Sequence, residues 1–567
     1  MKLLKPIVII LITLFSFFTT TAQEKIAQEH RIDAIFSRWN AEDAPGGTVG
    51  IIKDGNLIFA KGYGMANLDH RIPNTSATTF RIASTSKQFT AACIILLTQE
   101  GKLSLSDKLS AFFPNFPDYA NEISIQHLLN HTSGIRDYLI LSRLAGLSRL
   151  DYYTDEMIEK WLTNQQALNN KPGDAYVYSN SGYWLLGQIV EKISGKTLAQ
   201  YATEKIFTPL TMTHTHFHDN HEQIVKNKAT AYRPNGNGGY LEYMTTLNVV
   251  GPGGIYTTVD DLLKWDHSFY SSAVFNQDFW TQMTTLGRLN NGDELVYASG
   301  LGIKKYKGLK MIHHSGSYVG YKSEMIRFPE AQFTVIVLAN RMDIDPAKMA
   351  KKVADLFLDN NYKAANKKEH SASKTSSKPI SLTTKELGAF KGYYWSSINK
   401  SAVKLEVQNN TLTYVKNNRR ATKLLPVAKH KLQLIGPSEP IILEMHPKGE
   451  TKSFSVKRQG RQPVTFEEYT PLTSQDTNQL KTYLGDYYSK ELDVTYTLKM
   501  MKNRFVLYVK DNPVGQLKPI MKDVFSINYQ YIFEFDTLSN TFKLSMFDRV
   551  KNVTFVKSQS RNSIAKN

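Results

Sequence analysis

The chain has 567 residues, 41% of them hydrophobic and 21% charged, which is enough apolar mass for a large core and too much chain for one ordinary domain. A formal net charge of +18 raises nucleic acid or an anionic surface as partner. Lys and Arg are dispersed, however, and no nucleic-acid-binding motif accompanies them; what remains is a solvated basic surface with weak attraction to an anionic cell envelope. The single cysteine, Cys93, excludes an internal disulfide, and its neighbours Ala91, Ala92, Ile94 and Ile95 suit a buried thiol.

Residues 1–22 read as a signal peptide. Lys2 and Lys5 precede an apolar block from Ile7 to Phe18, and Thr20-Thr21-Ala22 supplies small residues for cleavage after Ala22. The block is shorter than the roughly 20 apolar residues of a spanning helix, and no later segment qualifies. The mature chain is therefore expected to be periplasmic or secreted, without a transmembrane segment.

Next, Ile26, Ile32, Ile35, Phe36 and Trp39 have the spacing of an amphipathic helix over Glu24 to Asn40. Thr48 to Lys53 and Asn56 to Tyr63 flank Asp54-Gly55, a hairpin signal. Helical patterns dominate from Ser86 to about Lys205. Strands return at Leu309 to Ile312, Ser323 to Phe328 and Phe333 to Ala339, the last two joined by a Pro-Glu-Ala-Gln turn, and a helix follows from about Pro346 to Leu358. Strand pairs at both ends with helices between them predict an α+β fold: one antiparallel sheet flanked by helices, with a helical lobe.

Lys363 to Thr384 is rich in Lys, Ser, Ala and Thr and reads as a linker. Beyond it the pattern turns β-like and repeats: Leu387, Gly392-Tyr393-Tyr394-Trp395-Ser396, Leu405 and Asn410 reappear at the same spacing as Leu480, Gly485-Asp486-Tyr487-Tyr488-Ser489, Leu498 and Asn503. An all-β C-terminal region of two repeats follows, either as two modules or as one barrel of two halves. With no catalytic constellation in either copy, it reads as a structural or binding appendage.

Chemistry concentrates in three elements. Ser84-Thr85-Ser86-Lys87 is one of five Ser-x-x-Lys matches, the others starting at Ser371, Ser397, Ser401 and Ser563. Only Ser84 follows a short β-like run and opens an apolar helix. There, unbonded N–H groups and the helix dipole can stabilise an oxyanion, and Lys87, on the same face, can reach the hydroxyl and act as its base. In the second element, Tyr176 to Tyr183, Tyr178 could relay a proton and Asn180 could hold a substrate amide; a structural loop with a capping asparagine is the plainer alternative. In the third, His313 to Ser317, His314 would supply a polar or cationic group, Gly316 close backbone approach, and Ser317 an N–H to complete an oxyanion hole with that of Ser84.

With His127 to Ile135, Pro172 to Gly187, Gly251 to Thr258 and Asp260-Asp261-Leu262, these elements make the chain from about Ile32 to Leu358 resemble the class C β-lactamase-like serine hydrolases. That family includes penicillin-binding DD-peptidases, D-aminopeptidases, esterases and β-lactamases. The resemblance implies a serine hydrolase domain over 23–362, ahead of the linker at 363–384 and repeats at 385–470 and 471–567. It implies Ser84 as acylated nucleophile, Lys87 and Tyr178 as general base pair, and Asn180, His314, Ser315, Gly316 and Ser317 as the substrate-binding set. The relatives that are β-lactamases usually carry Lys-Thr-Gly where this chain has His314-Ser315-Gly316. An unperturbed histidine is largely neutral at about pH 7, which disfavours a β-lactam carboxylate and favours peptidase or esterase chemistry.

Alternation of His214, His216 and His218, with His221 close by, would suit zinc, but Ile206 to Leu210 just before resembles a structural stretch of the same family, and no metal or cofactor is expected. The expected partner is a small-molecule or peptide substrate, plausibly a D-amino-acid peptide or peptidoglycan fragment. The alternatives are an esterase, a weak β-lactamase, or a binding protein that keeps the pocket without turnover. N-terminal sequencing of the exported product should begin at Gln23; recovery of Met1 would replace the cleaved signal with an uncleaved anchor.

Overall fold

The computed structural model describes residues 26–372, 379–418, 420–436, 441–446, 451–458, 461–472 and 477–558. The signal peptide of the sequence reading lies outside them. Among the described residues no helix is long and apolar enough to cross a membrane. The chain divides into two compact units, one of residues 1–89, 199–281 and 301–372, the other of 90–198, 282–300 and 373–567.

The first unit is organised by a six-stranded antiparallel sheet. Its strands are β1 (Gly47–Lys53), β2 (Asn56–Tyr63), β3 (Gly302–Tyr306), β4 (Leu309–Tyr318), β5 (Tyr321–Phe328) and β6 (Phe333–Ala339), in the order β3-β4-β5-β6-β1-β2. The expected hairpin forms, with Asp54 and Gly55 both at positive φ, 49° and 75°, as a tight turn of this type requires. β1 and β6 pair in unbroken register from Gly47↔Ala339 to Lys53↔Phe333. Every residue of β6 is buried, and its apolar run of Val335, Ile336, Val337 and Leu338 fits a strand covered on both faces. Ile32, Phe36 and Trp39 from the N-terminal helical segment pack against one side, together with Ala350, Val353 and Ala354 of the helix Pro346–Phe357. Asp345 caps that helix by accepting from the Lys348 N–H. The helix Asp359–Ala372 takes in the first residues of the segment that composition reads as linker; Lys and Ala there favour helix, with no Gly or Pro until Pro379.

The second unit contains the helices Ile125–Leu129, Tyr138–Leu144, Asp155–Thr163 and Asn180–Ser194, and the C-terminal β region. Cys93 is fully buried, which pushes its thiol well up. The C-terminal region forms a closed eight-stranded barrel over Gly392 to Glu468 and a nine-stranded antiparallel sheet over Gly485 to Lys557. The sequence repeat is a structural repeat: Gly392 pairs with Leu405 and Gly485 with Leu498. In both copies a buried tyrosine hydroxyl bonds the carbonyl four residues back, Tyr394 to Phe390 and Tyr487 to Tyr483.

Within this unit the nine-stranded sheet is fastened to the helical segment by Arg136. Its guanidinium pairs with the Glu491 carboxylate, the two side chains being 1% and 5% exposed, and donates from Nε to the Lys551 carbonyl at 3.0 Å. Burial outweighs the attraction of Arg136 and pushes the Glu491 carboxyl up. Glu491→Ala strands the guanidinium and should cost about 3–5 kcal/mol in urea unfolding. The double variant Arg136→Met/Glu491→Leu should recover most of that loss; equal destabilisation of the two would show the pair itself to be strongly net stabilising.

Candidate active site

In the first unit the site is built around Ser84. Phe80–Arg81 pairs with Ile255–Thr257, and the Ile82 N–H continues the ladder to the Ile255 carbonyl. The chain then turns sharply at Ala83, whose φ of 47° is left-handed for a residue with a Cβ and costs on the order of 1–2 kcal/mol. A 3₁₀ turn, Ala83–Ser86, leads into the helix Lys87–Gln99, so Ser84 sits one turn before the α-helix proper. Ser84 is half-buried and Lys87 wholly buried. The Lys87 ammonium donates to Ser84 Oγ at 3.2 Å and to the Pro252 carbonyl at 2.7 Å. The Gly251-Pro252-Gly253-Gly254 loop thus supplies an uncharged acceptor for a buried cation beside the serine.

Strand β4 lies against the same turn. A Cβ on Gly316 would stand 2.1 Å from the Ile82 carbonyl oxygen and 2.2 Å from Ser323 Oγ, so only glycine fits, as the sequence reading expected. Ser323 Oγ donates to the Ile82 carbonyl at 2.7 Å, and Thr85 Oγ1 donates to the His314 carbonyl at 3.2 Å. His314 is 7% exposed. Its burial, with the Lys87 charge second, pushes it down to about 3, so the cationic option is closed at neutral pH. Nδ1 lies 2.8 Å from the Ser315 carbonyl oxygen, which requires that nitrogen to carry the ring proton. Alternation along β4 turns Ser315 to the other face of the strand from His314 and Gly316; its hydroxyl is bonded there to the Glu324 carboxylate. Ser317, on the same face as Ser315, is exposed.

The second unit holds the Tyr178 element. A turn at Lys171 to Asp174, with Gly173 at φ 81°, leads to a segment tied to the His127 to Ile135 stretch: the Gly173 N–H reaches the Thr132 carbonyl, and the Val177 N–H the His131 carbonyl. The His131 ring lies 4.1 Å from the ring of Tyr178, centroid to centroid, and its Nδ1 accepts from the Ser179 N–H at 3.3 Å. Asn180 opens its helix, and Asp137 Oδ2 accepts from both its backbone N–H at 3.1 Å and its side-chain amide at 2.8 Å. Asn180 is thereby locked in orientation by a carboxylate that is itself wholly buried.

Three residues of this half were not singled out in the sequence: His131, Asp137 and Arg549. Asp137 carries a local signal, as the N-cap of Tyr138–Leu144. Arg549 carries none. It follows the turn Phe547-Asp548 of the nine-stranded sheet, both turn residues being left-handed at φ 54° and 59°. Its guanidinium carbon lies 4.7 Å from the centroid of the Tyr178 ring, and its Nη1 lies 3.6 Å from Asp137 Oδ2. A permanent positive charge from the C-terminal region therefore faces the phenol.

The histidine cluster divides. His216 and His218 are 3.1 Å apart, Nε2 to Nδ1, and His218, buried near Arg81, is pushed down to about 4. His214 and His221 are exposed. Among the described residues no group of three or more His, Cys, Asp or Glu is placed to hold a metal ion.

The family profile described as Beta-lactamase matches residues 32–358. The chain is 29% identical over 315 residues to penicillin-binding protein 4* of Bacillus subtilis strain 168, covering 52% of this chain and 68% of that one. It is 26% identical over 333 residues to the D-aminopeptidase of Gluconobacter oxydans strain 621H, covering 57% and 61%. It thus spans about two thirds of the first relative's length and less of the second's. Among solved structures, the octameric penicillin-binding protein homologue from Pyrococcus abyssi aligns with a TM-score of 0.52 at 24% identity, over 78% of this chain and 99% of that one; this is likeness of fold. The penicillin-binding protein from Bacillus halodurans aligns with a TM-score of 0.50 at 26% identity, over 58% and 98%. Together with the hydrogen-bonded Ser84–Lys87 pair, the profile match across more than half its length places the chain in the β-lactamase family, among the class C-like serine hydrolases.

Proposed function

We propose that this protein is an exported hydrolase that cleaves a small D-amino-acid amide or peptide, such as a peptidoglycan fragment, through an acyl-enzyme on Ser84. The observation that carries the reading is the Lys87 amino group, wholly buried with its nitrogen 3.2 Å from Ser84 Oγ. In this reading Lys87, reacting as its uncharged amine, and Tyr178 take the serine proton as Oγ attacks the carbonyl and later return it to the leaving amine, and the N–H groups of Ser84 and Ser317 hold the oxyanion. The leaving amine departs protonated, and water then releases the acid. Asn180, locked by Asp137, and the His314 to Gly316 stretch of β4 orient the substrate. A neutral His314 supports an uncharged amide over a β-lactam carboxylate as the group held there. The D-aminopeptidase named among the relatives supports the same substrate class, and the leader at residues 1–22 supports export.

Ser84→Ala should lower kcat/KM on a panel of D-aminoacyl amides, esters and cephalosporins by at least about 10³-fold and abolish covalent labelling by a fluorophosphonate. Undiminished turnover in that variant would refute the nucleophile. A wild-type protein silent across the panel, and not acylated by intact mass, would favour the non-catalytic binding protein.

His314 gives a second test. Its folded value of about 3 lies below the unfolded value of roughly 6.5, so at acid pH the unfolded chain binds a proton that the folded chain refuses. Its contribution is fully present above about pH 6.5 and is lost as pH falls towards 3. His314→Gln should flatten that part of the stability curve measured by urea unfolding. An unchanged acid limb would mean that His314 protonates in the folded protein.

A further inference from the structure

Within the second unit the turn Phe547-Asp548-Arg549 of the nine-stranded sheet is held against the helical segment at several points. The Arg549 carbonyl accepts from the Asp137 N–H at 3.3 Å and from the Asn169 side-chain amide at 2.7 Å, and the oxygen of that amide accepts from the Lys551 N–H at 2.8 Å. The Arg143 guanidinium carbon lies 5.4 Å from the centroid of the Phe547 ring. With the bonds of Arg136 to the same sheet, these contacts fasten the turn without the Arg549 side chain.

That side chain faces the two residues of this unit to which the proposed reaction gives roles. Its guanidinium carbon is 4.7 Å from the centroid of the Tyr178 ring. Its Nη1 is 3.6 Å from Asp137 Oδ2, the oxygen that takes both the N–H and the side-chain amide of Asn180. At that separation, longer than a hydrogen bond, Asp137 steers the guanidinium and offsets part of its charge without locking it, and the Arg549 side chain remains 41% exposed. A phenol that relays a proton gains negative charge on the way, and a cation fixed over its ring stabilises that charge while holding the ring in place.

We propose that Arg549 is a positioning residue for the Ser84 reaction, acting through Tyr178, so that the C-terminal sheet takes part in turnover. The proposal rests on the reading of Tyr178 as proton carrier. The test is the rate at which a fluorophosphonate labels Ser84 in the full chain; the reagent has no amide for Asn180 to hold, so the rate reports on proton removal from the serine. Arg549→Ala, which keeps the backbone anchors, should lower that rate at least about tenfold. In a Tyr178→Phe background the same substitution should change it less than about twofold. Ethylguanidinium chloride added to Arg549→Ala, against sodium chloride at equal ionic strength, should restore the rate saturably, as it would not after a purely structural loss. An undiminished rate in Arg549→Ala, an equal loss with and without the Tyr178 hydroxyl, or a loss that ethylguanidinium leaves untouched overturns the proposal while leaving Ser84 as nucleophile. A wild-type chain that is not labelled overturns the underlying reading, and the proposal with it. Should Arg549→Ala fail to fold, Arg549→Gln, which keeps a long polar side chain and drops the charge, carries the same comparison between the two backgrounds.

Discussion

The pairing of β1 with β6 is the constraint on which the first unit rests. It joins residues near the start of the folded chain to residues nearly three hundred positions later, in seven consecutive pairs without a bulge. Both strands are almost wholly buried, so their backbone groups have no water to turn to and must satisfy one another. A one-residue slip would reverse the faces of Val335 and Val337. Asn340 secures the junction: its side chain accepts from the Gly46 N–H and donates to the Met65 and Thr230 carbonyls. Because β6 also carries β5, and β5 carries Ser323, the same pairing fixes the atom that holds the Ile82 carbonyl and with it the turn at Ser84.

Three buried nitrogen groups are handled in three different ways. Lys87 is placed within hydrogen-bond distance of the Ser84 hydroxyl and the Pro252 carbonyl oxygen. Arg136, which cannot shed its proton, is matched by Glu491 and by carbonyl oxygens of the nine-stranded sheet. His314 lies where burial and the Lys87 charge act in the same direction, and it remains neutral. The difference follows from what each group can give up: an amine or imidazole can adjust its charge to a low-dielectric site, whereas a guanidinium must be compensated.

Arg136 and Arg549 also alter the meaning of the C-terminal region. Its sequence carries no catalytic constellation and reads as an appendage. In the folded unit one end of the nine-stranded sheet is bonded to Arg136, and its last turn sets a guanidinium over Tyr178 and beside the carboxylate that orients Asn180. The left-handed Phe547 and Asp548 that form this turn are a conformational cost carried by the segment that sets Arg549 against the Tyr178 ring.

Much was legible in the chain itself because it depends on local rules. The Asp54-Gly55 hairpin, the strand and helix from Phe333 to Leu358, the two C-terminal repeats and the placing of Ser84 just ahead of a helix all follow from turn chemistry, periodicity and the setting of a helix start. Gly316 was legible as well, since a residue without a Cβ announces close approach even when the approaching atom is unknown. The neutrality of His314, the engagement of Ser315 with Glu324 across the strand, the carbonyl of Pro252 beneath Lys87 and the reach of Arg549 to Tyr178 were decided by tertiary structure alone. Each depends on the burial of a polar group or on a neighbour distant in the chain, and no local pattern encodes either the dielectric around a side chain or the identity of a partner brought to it only by folding.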